Sequence, residues 1–425
     1  MKVSTEPVEN SQVALNVEME AVEVDEYLEK AYNRLVGKVS IPGFRKGKAP
    51  RVILEQHVGK ETLFQEALER LIPEAYEKAL EEQEIEAIAQ PKIELTQTEP
   101  LTFKAVVPLR PTVKLGDYKQ IRLKSEPVEI SDEDVDAMIE QLRHENAVLS
   151  PVDRPVEFGD IVTIAIEGES QGEPFVSRKD LVYEVSRDSR VPLPGFAEKL
   201  EGMKKGEKRS FVLSYPSDYE MQELAGKEYS FDVTISEVKE KKLPAVDDEF
   251  AKSLDHEDLA SMREHISTNL KARGEEKARL EFEQKVVDTA VELSEVEYPP
   301  VLIDREIDRL LNEEARNFVE GARGLENYLR SINKTIDDHR EELRPVASQR
   351  ALRSLVLEKV AEAEKVEVST SEIDDEIEKT VKDAGEQAEE MRKLFNSPQA
   401  REPIKNFLVN QKTVERLVQI ANGSA

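Results

Sequence analysis

The sequence predicts a multidomain protein of the α+β class, with an amino-terminal α+β domain, a small antiparallel β domain and a carboxy-terminal all-α domain. Residues 1–112 combine strand-like and helical patterns, residues 152–242 consist of short strands separated by glycines, and residues 243–425 are helical nearly to the end. Residues 113–151 are predicted to be a linker. A chain of 425 residues suits two or three domains of ordinary size.

The amino-terminal domain is predicted to begin with a half-buried strand and to continue with two helical stretches. Apolar residues alternate with polar ones at Val13, Leu15, Val17 and Met19. Asp25 is the predicted N-cap of the first helix, which Pro42 ends. The second helical stretch covers residues 51–84. Strands around residues 93–95 and 101–107 complete the domain.

The linker and the β domain carry their own patterns. In the linker, a strand at residues 121–123 is predicted to precede a helix that Ser131 and Asp134 cap. In the β domain, the apolar residues on one face of two predicted strands are Val162, Ile164, Ile166, Phe231, Val233 and Ile235. We expect a short helix near residues 197–200, and glycines such as Gly168 are predicted to supply the turns.

The carboxy-terminal domain shows apolar residues at helical spacing, as at Ile303, Ile307 and Leu310. Prolines are predicted to separate its helices, because a proline inside a helix removes a hydrogen bond and clashes with the preceding turn. These prolines are Pro299, Pro300, Pro345, Pro398 and Pro403.

Composition limits the function classes. The formal net charge is −29, so we expect the protein as a whole to be repelled by nucleic acid. The absence of cysteine excludes disulfides and thiolate chemistry and fits the cytoplasm, and the apolar runs are too short to span a membrane. The five histidines lack paired ligand spacing and no Gly-rich phosphate cradle is present, so we expect no metal, no nucleotide and no other cofactor.

A basic segment interrupts this acidic sequence. Between Lys30 and Leu54 there are seven basic residues and no acidic one. Within it, the run Gly43-Phe44-Arg45-Lys46-Gly47-Lys48-Ala49-Pro50 is predicted to form a tight loop between two helices. Phe44 is a large apolar residue beside the cations Arg45, Lys46 and Lys48, which can bind phosphates and acidic side chains. The simpler alternative is a solvated basic turn. A nucleotide-binding P-loop is excluded, because Ala49 stands where that motif needs Ser or Thr.

This run resembles the ribosome-binding signature of the trigger factor family in every residue of that signature. By the resemblance, the docking residues are Gly43, Phe44, Arg45, Lys46, Gly47, Lys48 and Pro50. The resemblance implies docking on the large ribosomal subunit beside the nascent-chain exit, through a ribosomal protein and rRNA. It also implies nascent and unfolded polypeptides as partners, and it leaves monomer and homodimer as alternatives for the protein off the ribosome.

Four short runs resemble, in order and spacing, the FKBP-type peptidyl-prolyl isomerase domain that trigger factors carry: Gly159-Asp160-Ile161-Val162, Leu193-Pro194-Gly195-Phe196, Leu200-Glu201-Gly202-Met203 and Gly206-Glu207. By the resemblance, an apolar proline pocket consists of Ile166, Phe175, Tyr183, Leu193, Phe196, Tyr219 and Phe231. The alternative is that these residues form only a hydrophobic core. Many relatives carry Tyr in place of Ile166 and an acidic residue in place of Val176, so we expect a weak isomerase.

Residues 298–307 resemble the helical chaperone domain of the same family, in which helical arms enclose a cavity. The resemblance implies an ATP-independent chaperone in which the isomerase domain is secondary. The alternative function is a free-standing prolyl isomerase with helical substrate-binding extensions, which would not depend on the ribosome. For most of the apolar helical positions, the alternative is that they only pack against each other.

Overall fold

The computed structural model describes residues 1–170, 173–187, 189, 191–215, 226–382, 385 and 388–423, without the side chains of Glu173 and Phe175. These residues form two compact units. The discontinuous unit consists of residues 1–125 and 279–425, and the continuous unit of residues 126–278. The multidomain α+β class is confirmed, although the short strand at Glu295–Glu297 lies in the region predicted to be all-α. The exact domain boundaries stay a prediction.

The amino-terminal part of the discontinuous unit is an antiparallel sheet packed against helices. Its elements are β1 (Lys2–Val8), β2 (Gln12–Glu18), α1 (Ala21–Lys38), α2 (Arg51–Val58), α3 (Lys60–Glu82), β3 (Lys92–Thr98) and β4 (Leu101–Pro108), followed by β5 (Thr112–Lys114). The sheet has the order β1-β2-β4-β3. Side chains alternate between the two faces of β2 and β4, so Leu15, Val17 and Phe103 point to the same side. There they pack in a core with Ala31 and Leu71 of the helices.

Two predictions for this part were wrong in detail. The N-cap of α1 is Glu20, not Asp25, because the Glu20 backbone N–H donates to the Glu23 carboxylate at 3.0 Å and fixes the helix start one turn earlier. The predicted second helical stretch is two helices. Gly59 separates them with a φ of +89°, which an α-helix cannot accommodate.

The continuous unit is built on a five-stranded antiparallel sheet. Its elements are α4 (Asp132–Glu145), β6 (Val148–Pro151), β7 (Ile161–Ser170), β8 (Glu173–Glu184), α5 (Phe196–Leu200), β9 (Lys208–Ser214), β10 (Glu228–Lys242) and α6 (Asp248–Ser253), followed by α7 (Leu259–Glu292), which continues into the discontinuous unit. The strand order is β6-β10-β7-β8, and β9 also pairs with β10. The predicted cap of α4 is confirmed, since the Asp134 N–H donates to Ser131 Oγ at 3.2 Å.

Helices make up the remainder of the discontinuous unit. The elements are β11 (Glu295–Glu297), α8 (Pro300–Ala315), α9 (Ala322–Ser331), α10 (Ile336–Glu364), α11 (Thr370–Lys382), α12 (Ala388–Phe395) and α13 (Pro398–Ala421). Strand β11 pairs with β5, so chain segments from before and after the continuous unit meet in one two-stranded sheet. Every helix in the described ranges is too short or too polar to traverse a bilayer.

Two prolines predicted to separate helices lie inside them instead. Pro345 is within α10 and Pro403 is within α13. Pro300 and Pro398 do begin helices, in the first turn, where the missing N–H has no helical partner to lose. Long helices tolerate an internal proline when tertiary packing offsets its cost, and α10 buries Ala347, Val356 and Val360.

The predicted strand at residues 121–123 was also wrong. A 3₁₀ helix (Tyr118–Gln120) leads into an irregular segment that packs on the helices, where Ile121 is buried. The Leu123 N–H donates to the Ala421 carbonyl of α13 at 3.3 Å. The apolar residues that suggested a strand therefore serve contact with helices.

Candidate functional sites

The basic run forms a loop between α1 and α2 that folds back on the end of α1. Gly43 and Gly47 have φ angles of +86° and +82°, a left-handed conformation that glycine adopts without strain. The Gly47 N–H donates to the Val36 carbonyl at 2.9 Å, and the Lys48 N–H donates to the Arg45 carbonyl at 2.9 Å. The loop is therefore held by its own backbone.

The end of this loop is anchored in the core of the unit. Ala49 is buried, and its carbonyl accepts a hydrogen bond from Tyr32 Oη at 2.8 Å. Ile41 is buried on the other side of the loop. Pro50 is the N-cap of α2, and its carbonyl accepts the Leu54 N–H at 3.0 Å. These contacts hold both ends of the loop on the rest of the unit.

The tip of the loop presents one large apolar group beside free cations. Phe44 is 42% exposed. Arg45, Lys46 and Lys48 are exposed, and no carboxylate of the described residues pairs with any of the three. Two other arginines of the basic segment differ from them. Arg34 pairs with Glu66 at 3.1 Å, and Arg51 pairs with Glu55 at 2.9 Å.

Five of the seven predicted proline-pocket residues come together in one apolar cluster of the continuous unit. Ile166, Tyr183, Leu193, Phe196 and Phe231 are all buried in the same core. Phe196 lies in the middle, with its ring edge-on to those of Tyr183 and Phe231 at 5.4 Å between centroids. The side chain of Phe175 and the whole of Tyr219 lie outside the described residues.

Phe211 is a member of this cluster that the sequence did not single out. Its ring lies 5.5 Å from that of Phe196 and 5.9 Å from that of Phe231. Phe211 on β9 pairs directly with Phe231 on β10. The local sequence gives no clear signal, since Val212 and Leu213 follow Phe211 without alternation. The pairing of two strands distant in sequence is not visible in either of them.

Gly168 departs from its predicted place in a turn. It lies inside β7, opposite Phe231 of β10. A Cβ atom added there would be 2.8 Å from the Phe231 ring and 2.8 Å from Val176 Cγ1, which is closer than carbon atoms approach. Gly168 is therefore a strand residue whose missing side chain leaves room for an aromatic ring.

Two polar contacts support the cluster from outside. Tyr183 Oη donates to Ser189 Oγ at 3.0 Å, and burial raises the pKa of the Tyr183 hydroxyl. The Asp160 carboxylate is buried and accepts hydrogen bonds from both terminal nitrogens of Arg154, at 2.7 and 2.9 Å. The cluster itself is apolar apart from tyrosine hydroxyls. No group of metal-ligating side chains occurs in the described part of the chain.

Comparison with known proteins identifies three matching families. Residues 1–142 match the family described as bacterial trigger factor protein, and residues 258–419 match the family described as its C-terminus. Residues 152–236 match the FKBP-type peptidyl-prolyl cis-trans isomerase family. Similar solved structures include a trigger factor chaperone studied for promiscuous substrate recognition in folding and assembly, which is 25% identical over 99% of each chain, with a TM-score of 0.46.

Full-length relatives are similar over nearly the entire chain. The trigger factors of Dehalococcoides mccartyi strain CBDB1, Moorella thermoacetica and Carboxydothermus hydrogenoformans are 38%, 39% and 39% identical to it. The alignments cover 99% of this chain and 95%, 94% and 99% of the relatives. The predicted isomerase activity is confirmed by the match of the continuous unit. This chain belongs to the trigger factor family, and it is a chaperone that carries an FKBP-type peptidyl-prolyl isomerase domain.

Proposed function

We propose that this chaperone works in the cytoplasm, docks on the large ribosomal subunit near the nascent-chain exit, shields newly made polypeptides and isomerises their X–Pro bonds. The observation that carries the docking step is the tip of the basic loop. There, Phe44 is exposed beside three cations that have no carboxylate partner among the described residues. Guanidinium and ammonium groups bind rRNA phosphates and protein carboxylates, and the ring adds apolar contact.

The charge of the rest of the protein supports this choice of contact. With a net charge of −29, most of the surface is repelled by rRNA. The basic loop is attracted to it. Approach to the ribosome is therefore favoured in the orientation that brings the loop tip to the RNA.

Isomerisation in the apolar cluster requires only differential binding. Rotation about the X–Pro bond is opposed by amide resonance, with a barrier of ~18–20 kcal/mol for a peptide bond, and takes tens to hundreds of seconds unaided. The planar amide has more charge separation than the twisted one. An apolar pocket therefore favours the twisted state, which lowers the barrier. The buried ring of Phe196 at the centre of the cluster supports this assignment.

The docking proposal is tested by replacing Phe44, Arg45 and Lys46 with alanine and measuring co-sedimentation with ribosomes. We expect the triple variant to lose binding at low salt and to keep the far-UV circular dichroism of the wild type, because all three side chains are exposed. A matched control replaces Val22, Arg70 and Lys78, which are also exposed residues of the amino-terminal part. It removes the same charge and should bind normally. Retained binding by the loop variant would sink the docking proposal.

A free-standing isomerase remains the alternative function. It predicts that replacing Phe196 with alanine removes both catalysis and cellular activity, whereas the loop variant keeps cellular activity. Ribosome docking predicts that the loop variant loses more cellular activity than the Phe196 variant. Complementation of a strain that lacks its own trigger factor distinguishes the two, with urea unfolding of each variant as the check on folding. Sedimentation equilibrium of the free protein decides between monomer and homodimer.

A further inference from the structure

The chain between β8 and α5 carries Leu193 and Phe196 of the proline pocket, but it belongs to no strand. Among the described residues, no backbone hydrogen bond ties residues 191–193 to the sheet. Leu193 is fully buried all the same. Its position must therefore be set by packing and by side-chain hydrogen bonds.

Tyr215 provides such a hydrogen bond from the position directly after β9. Its hydroxyl donates to the Pro192 carbonyl at 3.0 Å, and the residue is only 7% exposed. The ring meets that of Tyr229 edge-on, at 5.6 Å between centroids and 87° between planes. Tyr229 lies in β10, and the Tyr215 backbone exchanges hydrogen bonds with Lys227 at 3.3 Å and Gly226 at 3.2 Å. Because both rings are held in this way, the hydroxyl has little freedom to leave the carbonyl.

The Pro192 carbonyl is a group through which the pocket can be controlled. The peptide bond is planar, so the Pro192 oxygen lies in one plane with the nitrogen and Cα of Leu193. Holding that oxygen fixes the direction in which the chain enters Leu193. The Leu193 carbonyl then accepts the Phe196 N–H at 3.1 Å, at the start of α5. One hydroxyl thereby bears on both pocket residues.

A weaker second tether reaches the same segment from β8. Tyr183 Oη donates to Ser189 Oγ at 3.0 Å, and Ser189 Oγ donates to the Val191 carbonyl at 3.3 Å. The segment is thus held by two tyrosine hydroxyls, and the contact nearer to Leu193 is that of Tyr215.

We propose that Tyr215 is a positioning residue of the isomerase, whose hydroxyl sets Leu193 and Phe196 through the Pro192 carbonyl. This inference rests on the proline pocket of the proposed function. The pocket stabilises the twisted amide only where its apolar surfaces fit that state. A displaced Leu193 therefore lowers kcat more than it raises KM.

The test is the Tyr215→Phe variant of the full-length chain, which keeps the ring and removes one oxygen. We expect kcat/KM for a proline-containing tetrapeptide to fall on the order of tenfold, mostly through kcat. The matched control is Tyr118→Phe, which removes a hydroxyl that donates to Glu364 at 2.9 Å in the discontinuous unit. Its kcat/KM should equal that of the wild type.

A purely structural role for Tyr215 would lower the urea midpoint and leave kcat/KM of the folded protein within twofold, and that result overturns the proposal. Should Tyr215→Phe fail to fold, Ser189→Ala decides in its place. It must then lower kcat/KM by at least threefold, or the proposal is rejected. Methyl NMR of the wild type separates this from the pocket assignment. If a proline peptide does not shift the methyl signals of Ile166 and Leu193, the pocket itself is wrong, whatever the variants do.

Discussion

Gly168 is a position where the absence of a side chain shapes the isomerase core. We expect Gly168→Ala to cost about 1–3 kcal/mol of unfolding free energy, because the new methyl overlaps the Phe231 ring and forces it to move. Isomerase activity should fall with it. Urea unfolding and a proline-peptide assay measure the two effects.

The control for this variant is Gly37→Ala in α1, where a Cβ meets nothing within 4 Å. Alanine is the better helix former by about 1 kcal/mol, so this change should be neutral or stabilising. Equal stability of the two variants would contradict the close packing of Gly168.

Asp160 is a buried charge in the continuous unit. Its carboxylate is 2% exposed and is bound by Arg154 and by the Glu157 N–H at 2.9 Å. Asp160→Ala removes the nearest carboxylate partner of the Arg154 guanidinium. The other carboxylate contacts of this guanidinium are longer, with Glu157 at 3.6 Å and Glu240 at 4.0 Å. The change should destabilise the unit by about 2–3 kcal/mol, as judged by urea unfolding. Asp153→Ala, at an exposed position nearby, is the control and should change little. A loss below about 1 kcal/mol at Asp160 would mean that the pair contributes no more than a surface contact.

Single residues could be predicted where the information is local. Alternation within β7 and within β10 predicted Ile166 and Phe231 on buried faces, and both are buried. Phe211 and Tyr215 were not singled out, because their roles come from pairing with β10 and from a hydrogen bond to Pro192, more than twenty residues away in the chain.

At the level of elements, the basic loop depends on the left-handed conformation of its glycines. Gly47 has a φ of +82° and open space where a Cβ would lie, so Gly47→Ala introduces backbone strain without a clash. We expect the affinity for ribosomes to fall severalfold while the urea midpoint shifts by less than that of Gly168→Ala. Filter binding at low salt measures the affinity. Unchanged affinity would show that ribosome binding does not depend on this loop conformation.

Helices were predicted more reliably than their ends. Apolar spacing marked α8, and its buried stripe of Ile303, Ile307 and Leu310 is confirmed. Breaks were misjudged in both directions. Gly59 interrupts a continuous pattern, whereas Pro345 does not interrupt α10. Local preferences of about 1–3 kcal/mol decide such positions only when packing does not oppose them.

On the scale of the whole molecule, a buried carboxylate joins segments far apart in sequence. Glu364 at the end of α10 pairs with Lys119 at 2.9 Å, and it accepts hydrogen bonds from Tyr118 at 2.9 Å and Arg416 at 3.0 Å. The bond from Lys119 above all, with those of Tyr118 and Arg416, lowers the pKa of Glu364 to about 2. The unfolded chain therefore binds this proton more readily than the folded one.

Stability from Glu364 is accordingly present above about pH 4.5 and is lost as the pH falls towards about 2. We expect Glu364→Gln to lower the unfolding free energy at neutral pH by about 2 kcal/mol and to flatten its decline over that acid range. Denaturant unfolding at a series of pH values measures this. Glu362→Gln, in an exposed pair with Lys359, is the control. Parallel pH profiles for wild type and Glu364→Gln would refute the assignment.

The contrast between a basic loop and an acidic molecule predicts a strong dependence of ribosome binding on salt. Three cations that each neutralise one phosphate give a slope of about −2 to −3 for log K against log salt concentration. Sedimentation at several salt concentrations measures it. A flat profile would mean that apolar contact through Phe44, and not charge, dominates docking.

The pairing of β5 with β11 also sets an order of events during synthesis. Thr112–Lys114 cannot meet Glu295–Glu297 until the ribosome has made and released everything between them. The continuous unit is complete at residue 278. It can therefore fold before residues 279–425, which the discontinuous unit requires, have been synthesised. The isomerase domain can therefore be fully folded while the discontinuous unit is still incomplete.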